Sequence, residues 1–192
     1  MPSDLHPERL TACFRTIVAG GFLEGLMGEA RFAGRLADVV SRHYGLTRIS
    51  ADGAAAEDLV LADLGLNELR ALALRAGVIL HSKAFLQEIR GPVVAALIER
   101  FGSGALDDAR RHFDLIAERP KAADLDELQR LIQLDGEACL AAWIASLPPA
   151  LSARVRLKWP DDHALPKTDD VEIIARGPTI MRRLVKVADT NP

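Results

Sequence analysis

Cysteine is scarce in this chain of 192 residues. Cys13 and Cys139 are too few for a disulfide framework and show no metal-ligand spacing, which makes the cytoplasm the natural setting. Both fall on apolar faces, where a thiol behaves as a small buried hydrophobe rather than a nucleophile. Basic residues are not in excess either. A net charge of -3 gives no electrostatic reason to expect nucleic acid or an anionic membrane as the main partner. No apolar run approaches the roughly 20 residues that a membrane-spanning helix requires. The first ten residues, with Asp4, His6, Glu8 and Arg9, lack the apolar centre of a signal peptide. Gly20, Gly21, Gly25 and Gly28 lie beside Phe22, Leu23, Leu26 and Met27, but no Gly-Lys-Ser or Gly-Lys-Thr follows and no convincing strand precedes. A phosphate loop there would lack its cation.

What the chain does have is helical periodicity, clearest from Leu66 to Ala117. Leu69, Leu72, Ala76 and Ile79 recur at spacings of three and four and form a stripe along a helix to about Leu80. His81 and Ser82 interrupt it, with Ser82 expected to cap a short second helix carrying Phe85, Leu86 and Ile89, which Gly91 and Pro92 end. Val93, Val94, Leu97, Ile98 and Phe101 rebuild an apolar face after Pro92. Ser103, Asp107 and Asp108 then start a fourth helix with Leu106, Ala109, Phe113 and Ile116 inward. Connections this short let the four helices bury one another's stripes by packing as a bundle.

Upstream, Pro7 to Ala19 is expected to be a helix with Leu10, Phe14, Ile17 and Val18 inward. A second, from about Glu29 to Tyr44, places Phe32, Leu36, Val39, Val40 and Tyr44 on one face and stops at Gly45. Gly53 to Ala56 forms a loop before the apolar run Leu59 to Leu66. Downstream, Asp124 and Asp126 precede a long helix with Leu128, Ile132, Cys139, Trp143 and Leu147 on or near one face. Asp135 and Gly136 in its middle imply a kink or a close helix crossing. Pro148 and Pro149 end it. Val155, Leu157 and Trp159 then alternate with Arg154, Arg156 and Lys158 as in a half-buried strand, and Val171 to Ile174 is a second strand that pairs with it. Pro178 opens a last helix with Ile180, Leu184 and Val187 inward and Arg182, Arg183 and Lys186 outward.

Chemistry-bearing residues are thinly spread. His81 has no neighbouring cysteine, carboxylate or serine to complete a dyad, since adjacent helical residues point in different directions. Asp161, Asp162 and His163 form the one compact cluster of possible metal ligands, between Pro160 and Pro166, and such a cluster is more often a solvated turn. No cofactor or metal is therefore expected, and no active site. The basic clusters Arg110, Arg111 and His112, and Arg182, Arg183 and Lys186, together with Arg156 and Lys158, are candidate protein-contact residues, since arginine suits planar recognition of carboxylates. A helix-turn-helix reading fails for want of a basic recognition helix, because Ser82 to Ile89 offers only Lys83 against Glu88.

One family is suggested by the order of segments. The run Leu72 to His81, with Arg75, Gly77, Val78, Ile79, Leu80 and His81, resembles the Leu-Gly-Leu-Val-Leu-His stretch of the SctK family of type III secretion proteins. A helix ending near Phe101 follows, then another around Arg110 to Ile116, then Ile132, Gln133 and Gly136 leading to Trp143 and Ile144. Val155, Arg156, Leu157, Lys158 and Pro160 are similar to the family's short Leu-Arg-Leu-Pro strand, and Leu184, Val185 and Lys186 to its final helix. The resemblance spans about Leu66 to Lys186. The N-terminal region departs from it, as it lacks the Trp- and Pro-bearing opening of some members.

The resemblance implies a non-enzymatic adaptor of the injectisome sorting platform. It would work at the cytoplasmic face of the inner membrane, joining the cytoplasmic, forkhead-associated-like domain of the ring protein SctD to the pod protein SctQ, and through the pod to the ATPase complex. The expected fold is mainly α, a compact multi-helix bundle with a small two-stranded β element near the C-terminus. The expected organisation is one domain over 1–192, with N-terminal helices in 1–65, a central bundle in 66–147 and a strand pair with a helix in 153–188. The alternative from another class is a helical enzyme or small-ligand-binding domain whose site draws on His43, His81 and Asp135. A helical transcription factor comes third.

Overall fold

The structure is a computed structural model and describes residues 5–14, 25, 29–46, 54–160 and 165–188. Ile17, Val18, Gly53, the glycine-bearing stretch other than Gly25, and the Asp161, Asp162 and His163 cluster lie outside the described residues. Ten α-helices are found among the described residues, and no strand. They are α1 (Pro7–Ala12), α2 (Ala30–His43), α3 (Ala56–Asp63), α4 (Leu66–Leu80), α5 (Ser82–Leu86), α6 (Gly91–Phe101), α7 (Gly104–Arg111), α8 (Leu125–Ser146), α9 (Pro149–Arg156) and α10 (Val171–Ala188). A 3-10 turn, Phe113–Leu115, follows α7. The chain divides into two compact units, one made of Met1–Leu66 with Leu147–Ala164 and the other of Asn67–Ser146 with Leu165–Pro192.

In the first unit, α1 and α2 bury Leu10, Leu36 and Val40 together with Leu5 and Leu157, flanked by Phe14, Phe32, Tyr44 and Leu46. The stop at Gly45 is a Schellman motif. Gly45 takes φ 60, and the Leu46 N–H reaches back 2.8 Å to the Ser41 carbonyl. Arg9 fastens α1 to the segment after α9, donating from Nε to the Trp159 carbonyl at 3.0 Å and from Nη2 to the Pro160 carbonyl at 3.1 Å. The Tyr44 hydroxyl donates to the Arg9 carbonyl at 2.9 Å.

This packing replaces the expected first strand. Pro149 is the first residue of a helix, where a missing N–H is no loss, and Leu151 and Val155 point inward from α9. Leu157, Lys158 and Trp159 are all buried in the turn after it, so the apparent alternation ends on a stretch without an outer face. Lys158 is only 4% exposed and its ammonium donates to the Leu64 carbonyl.

In the second unit, Leu69, Ala76 and Ile79 of the α4 stripe are buried as expected while Leu72 is half-buried, and Val78, Phe85, Leu97, Ala105, Ala109, Leu128 and Ile132 form one core. Phe85 and Phe101 meet edge-to-face with centroids 5.4 Å apart. α4 and α8 cross with their backbones in contact. A methyl on Gly77 would strike the Ile132 carbonyl oxygen, and one on Gly136 the Ala73 carbonyl oxygen. Of the two readings of Gly136, the close crossing is the one observed. A third glycine, Gly177 of α10, faces α8 so closely that a Cβ there would lie 3.1 Å from the Cys139 Cα.

Val171 to Ile174, expected as the second strand, is instead the first turn of α10, which runs through Pro178. Asp170 sets that start by accepting the N–H groups of Glu172 at 2.9 Å and Ile173 at 3.2 Å. Other departures are local. Ser82 does not cap α5; its hydroxyl turns back to the Ile79 carbonyl at 2.6 Å and His81 stands at the N-cap. Ile89 lies beyond α5 and is 91% exposed. α7 stops at Arg111, so the 3-10 turn swings Phe113 outward to 63% exposure and puts Leu115 inside instead.

Candidate functional site

Two features of the second unit combine charge with position. The first is an ion network at the meeting of α4, α8, the 116–124 connection and α10, buried at His81 and half-buried at Arg119, Asp135 and Asp170. α4 delivers His81 to its C-terminal end, and the α4–α8 crossing brings Asp135 opposite. The imidazole Nε2 lies 2.8 Å from Asp135 Oδ2, with the His81 side chain 3% exposed. Arg119 places Nε 3.3 Å from the same Asp135 oxygen. Its Nη1 donates to Asp170 Oδ2 at 2.5 Å. Asp170 thus caps α10 and receives the guanidinium at once, and this pairing holds its carboxyl below the usual aspartate range. Arg176 adds a further tie by donating to the Ile116 carbonyl.

His81 and Arg119 also stand in the wall of a cleft of about 810 Å³ between α5, the start of α6 and residues 117–125. Its floor is apolar, with Leu80, Val93, Leu97 and Leu128. Its rim carries Lys83 and Arg90, already engaged by Glu118 and Glu88. The geometry therefore unites two of the three residues of the enzyme alternative. His43 is on α2 in the other unit, exposed at the helix end beside Tyr44. Neither cysteine is primed for chemistry. Burial raises the Cys13 thiol, which also donates to the Arg9 carbonyl at 3.2 Å. Burial, reinforced by Asp135, pushes the Cys139 thiol up to about 12. No group of three or more His, Cys, Asp or Glu is placed to hold a metal ion among the described residues. No described helix is long and apolar enough to cross a membrane.

The second feature is a basic face. Arg75 grips Asp108 with two parallel bonds, Nε to Oδ2 at 2.7 Å and Nη2 to Oδ1 at 2.8 Å, which takes that carboxylate out of the surface and fixes α7 to α4. Arg110 and Arg111 stay exposed at the end of α7, where a cation suits the helix dipole. Arg183 of α10 donates to Asp114 Oδ2 at 2.6 Å and so joins the two clusters that the sequence presents 70 or so positions apart. Between them His112 is buried, with Nε2 lacking a hydrogen-bond partner among the described residues. Burial lowers its pKa against the opposing pull of Asp108, with Arg183 and Arg111 adding to the lowering. Arg182 is half-buried and Lys186 exposed on the same helix. Arg156 is exposed at the end of α9 in the first unit, whereas Lys158, expected as a contact residue, is internal.

The class defined so far is a mainly α protein in which glycine-notched crossings and an ion network fix the helices of the second unit. Among known proteins, the chain is similar to the nodulation protein NolU of Rhizobium fredii and to NolU of Sinorhizobium fredii (strain NBRC 101917 / NGR234). Each is 29% identical over 161 residues, which cover 83% of this chain and 72% of the relative. No family model matches the chain, and no solved structure matches it.

Proposed function

We propose that the chain is a non-enzymatic adaptor of a bacterial type III secretion sorting platform, joining the cytoplasmic domain of the ring protein SctD to the pod protein SctQ and thereby to the ATPase complex. The observation that carries this reading is the ordered series of SctK-like segments from Leu66 to Lys186. The relative's name supports it from another side, because nodulation is an encounter of a bacterium with a host, the setting in which a host-directed secretion machine acts. Physical character agrees. A recognition surface must hold its shape, and backbone-to-backbone crossings within the second unit, such as Gly77 on Ile132 and Gly136 on Ala73, resist deformation. Arg110, Arg111, Arg182, Arg183 and Lys186 supply cationic recognition on one unit and Arg156 on the other.

The test is a pull-down of the purified full chain with the cytoplasmic domain of SctD and with SctQ from the same genome. Binding to both is expected; binding to neither refutes the reading. One observation favours a second reading, a ligand-binding or enzymatic domain. His81 and Asp135 do meet, beside a cleft of about 810 Å³. A thermal-shift screen against small metabolites separates the two: a specific shift that Arg119→Met or His81→Gln abolishes would favour the second, and no shift favours the adaptor.

A further inference from the structure

The basic face of the second unit carries a feature that rigidity does not require. Phe113 follows Arg110, Arg111 and His112 in sequence, and its neighbour Asp114 is bonded to Arg183 of the second cluster. It is 63% exposed, because α7 ends one turn early and Leu115 takes the inward position. A lone exposed apolar residue needs no explanation. An exposed phenylalanine two residues after a pair of exposed arginines, next to an aspartate that binds a third, does, because aromatic and arginine side chains are the types enriched at interface hot spots. Two of the three carboxylates near this face are already engaged: Asp108 is buried against Arg75 and Asp114 is held by Arg183, while Asp107 is exposed one turn before Arg110 and Arg111. Neither Arg110 nor Arg111 has a carboxylate partner among the described residues. A local concentration of positive charge on a chain of net charge -3 calls for an anionic counterpart.

We infer that the end of α7, the Phe113–Leu115 turn and the adjoining part of α10 form a docking surface for an acidic segment of a partner protein that carries one large apolar anchor. The anchor stacks on Phe113, and the carboxylates of the segment bind Arg110 and Arg111. Arginine suits this because its planar fork matches a carboxylate with two parallel bonds. The inference rests on the adaptor reading and assigns one of its two contacts to this surface.

The experiment measures binding of the full chain to the purified cytoplasmic domain of SctD and to purified SctQ, for the wild type, Phe113→Ser, the double variant Arg110→Glu/Arg111→Glu, and Lys121→Glu as a charge control in the same unit. Phe113 is mostly in solvent, so Phe113→Ser folds, and circular dichroism checks it. Phe113→Ser and the arginine double variant are expected to weaken binding to one partner by roughly 30-fold or more, which is hot-spot size. Phe113→Trp restores that binding, Lys121→Glu leaves it unchanged, and raised salt weakens the wild type more than the double variant. If the wild type binds and neither variant differs from it, the docking surface is refuted while the adaptor reading stands. If the wild type binds neither partner, both fail. Flotation with phosphatidylserine vesicles that depends on Arg110 and Arg111, with protein binding unchanged in the variants, would assign the face to a lipid surface and overturn the inference.

Discussion

Replacing Gly136 by alanine separates packing from helix propensity, because the two predict opposite signs. In an exposed helix interior, alanine stabilises over glycine by about 1 kcal/mol. At Gly136 the added methyl would collide with the carbonyl oxygen of Ala73, an atom of backbone that cannot swing aside as a side-chain tip can. α4 and α8 must then move apart, which also loosens the contact of Gly77 with Ile132 and the 2.8 Å bond between His81 and Asp135. Overpacking of this kind costs about 1–3 kcal/mol and the broken bond adds to it, so a net loss of about 2 kcal/mol remains after the propensity gain. For a chain of this size that is roughly 4–8 °C in Tm. Gly34, on α2 in the first unit, has open space where a methyl would sit, with nothing within 4 Å, and Gly34→Ala should gain roughly 0.5–1 kcal/mol. Scanning calorimetry with urea titration reads both. A Gly136→Ala protein as stable as, or more stable than, the wild type would refute the crossing geometry.

Arg119→Met leaves Asp135 and Asp170 without their shared guanidinium; a loss of about 3 kcal/mol is expected from urea denaturation, and a change within about 0.5 kcal/mol, the order of a surface substitution, would contradict a structural role. His112 gives a pH signature. Its folded pKa lies below the ordinary 6.5, so its contribution is complete above about pH 6.5 and is lost as pH falls from there through the lowered value. The stability of the wild type relative to His112→Leu should therefore decline between about pH 7.5 and 5.5 by urea midpoint, and a constant difference would refute it. Cys139, with its thiol raised to about 12, should resist a thiol reagent at about pH 8 until urea unfolds the second unit, while the half-buried Cys13 reacts sooner; equal rates would argue against the burial described.

The long elements were legible in the sequence because a stripe such as Leu69, Ala76 and Ile79, or Leu128, Ile132, Cys139 and Trp143, repeats over enough turns to exclude other periods. Six alternating residues do not. Val155, Leu157 and Trp159 match a strand, yet they fall on a helix end and the turn after it, where His6 donates its N–H to the Leu157 carbonyl at 3.0 Å. The prolines misled in the same direction: Pro149 starts a helix as readily as it ends one, and Pro178 is carried inside α10 by the Asp170 cap and the Gly177 contact with α8. The second long apolar segment was visible, but its polar partners were not. His81 and Asp135 are 54 positions apart, and nothing in their local patterns pairs them; only the glycine crossing, which the sequence marked at Gly136 alone, brings them together. Phe113 was placed inward by a helical period that stops two residues before it, at Arg111.

The most direct test of the adaptor account is whether one molecule of this chain holds both partners at once. Size-exclusion chromatography with light scattering on a mixture of the full chain, the cytoplasmic domain of SctD and SctQ should give a single peak whose mass requires all three. Two separate binary complexes, or three free components, would contradict it.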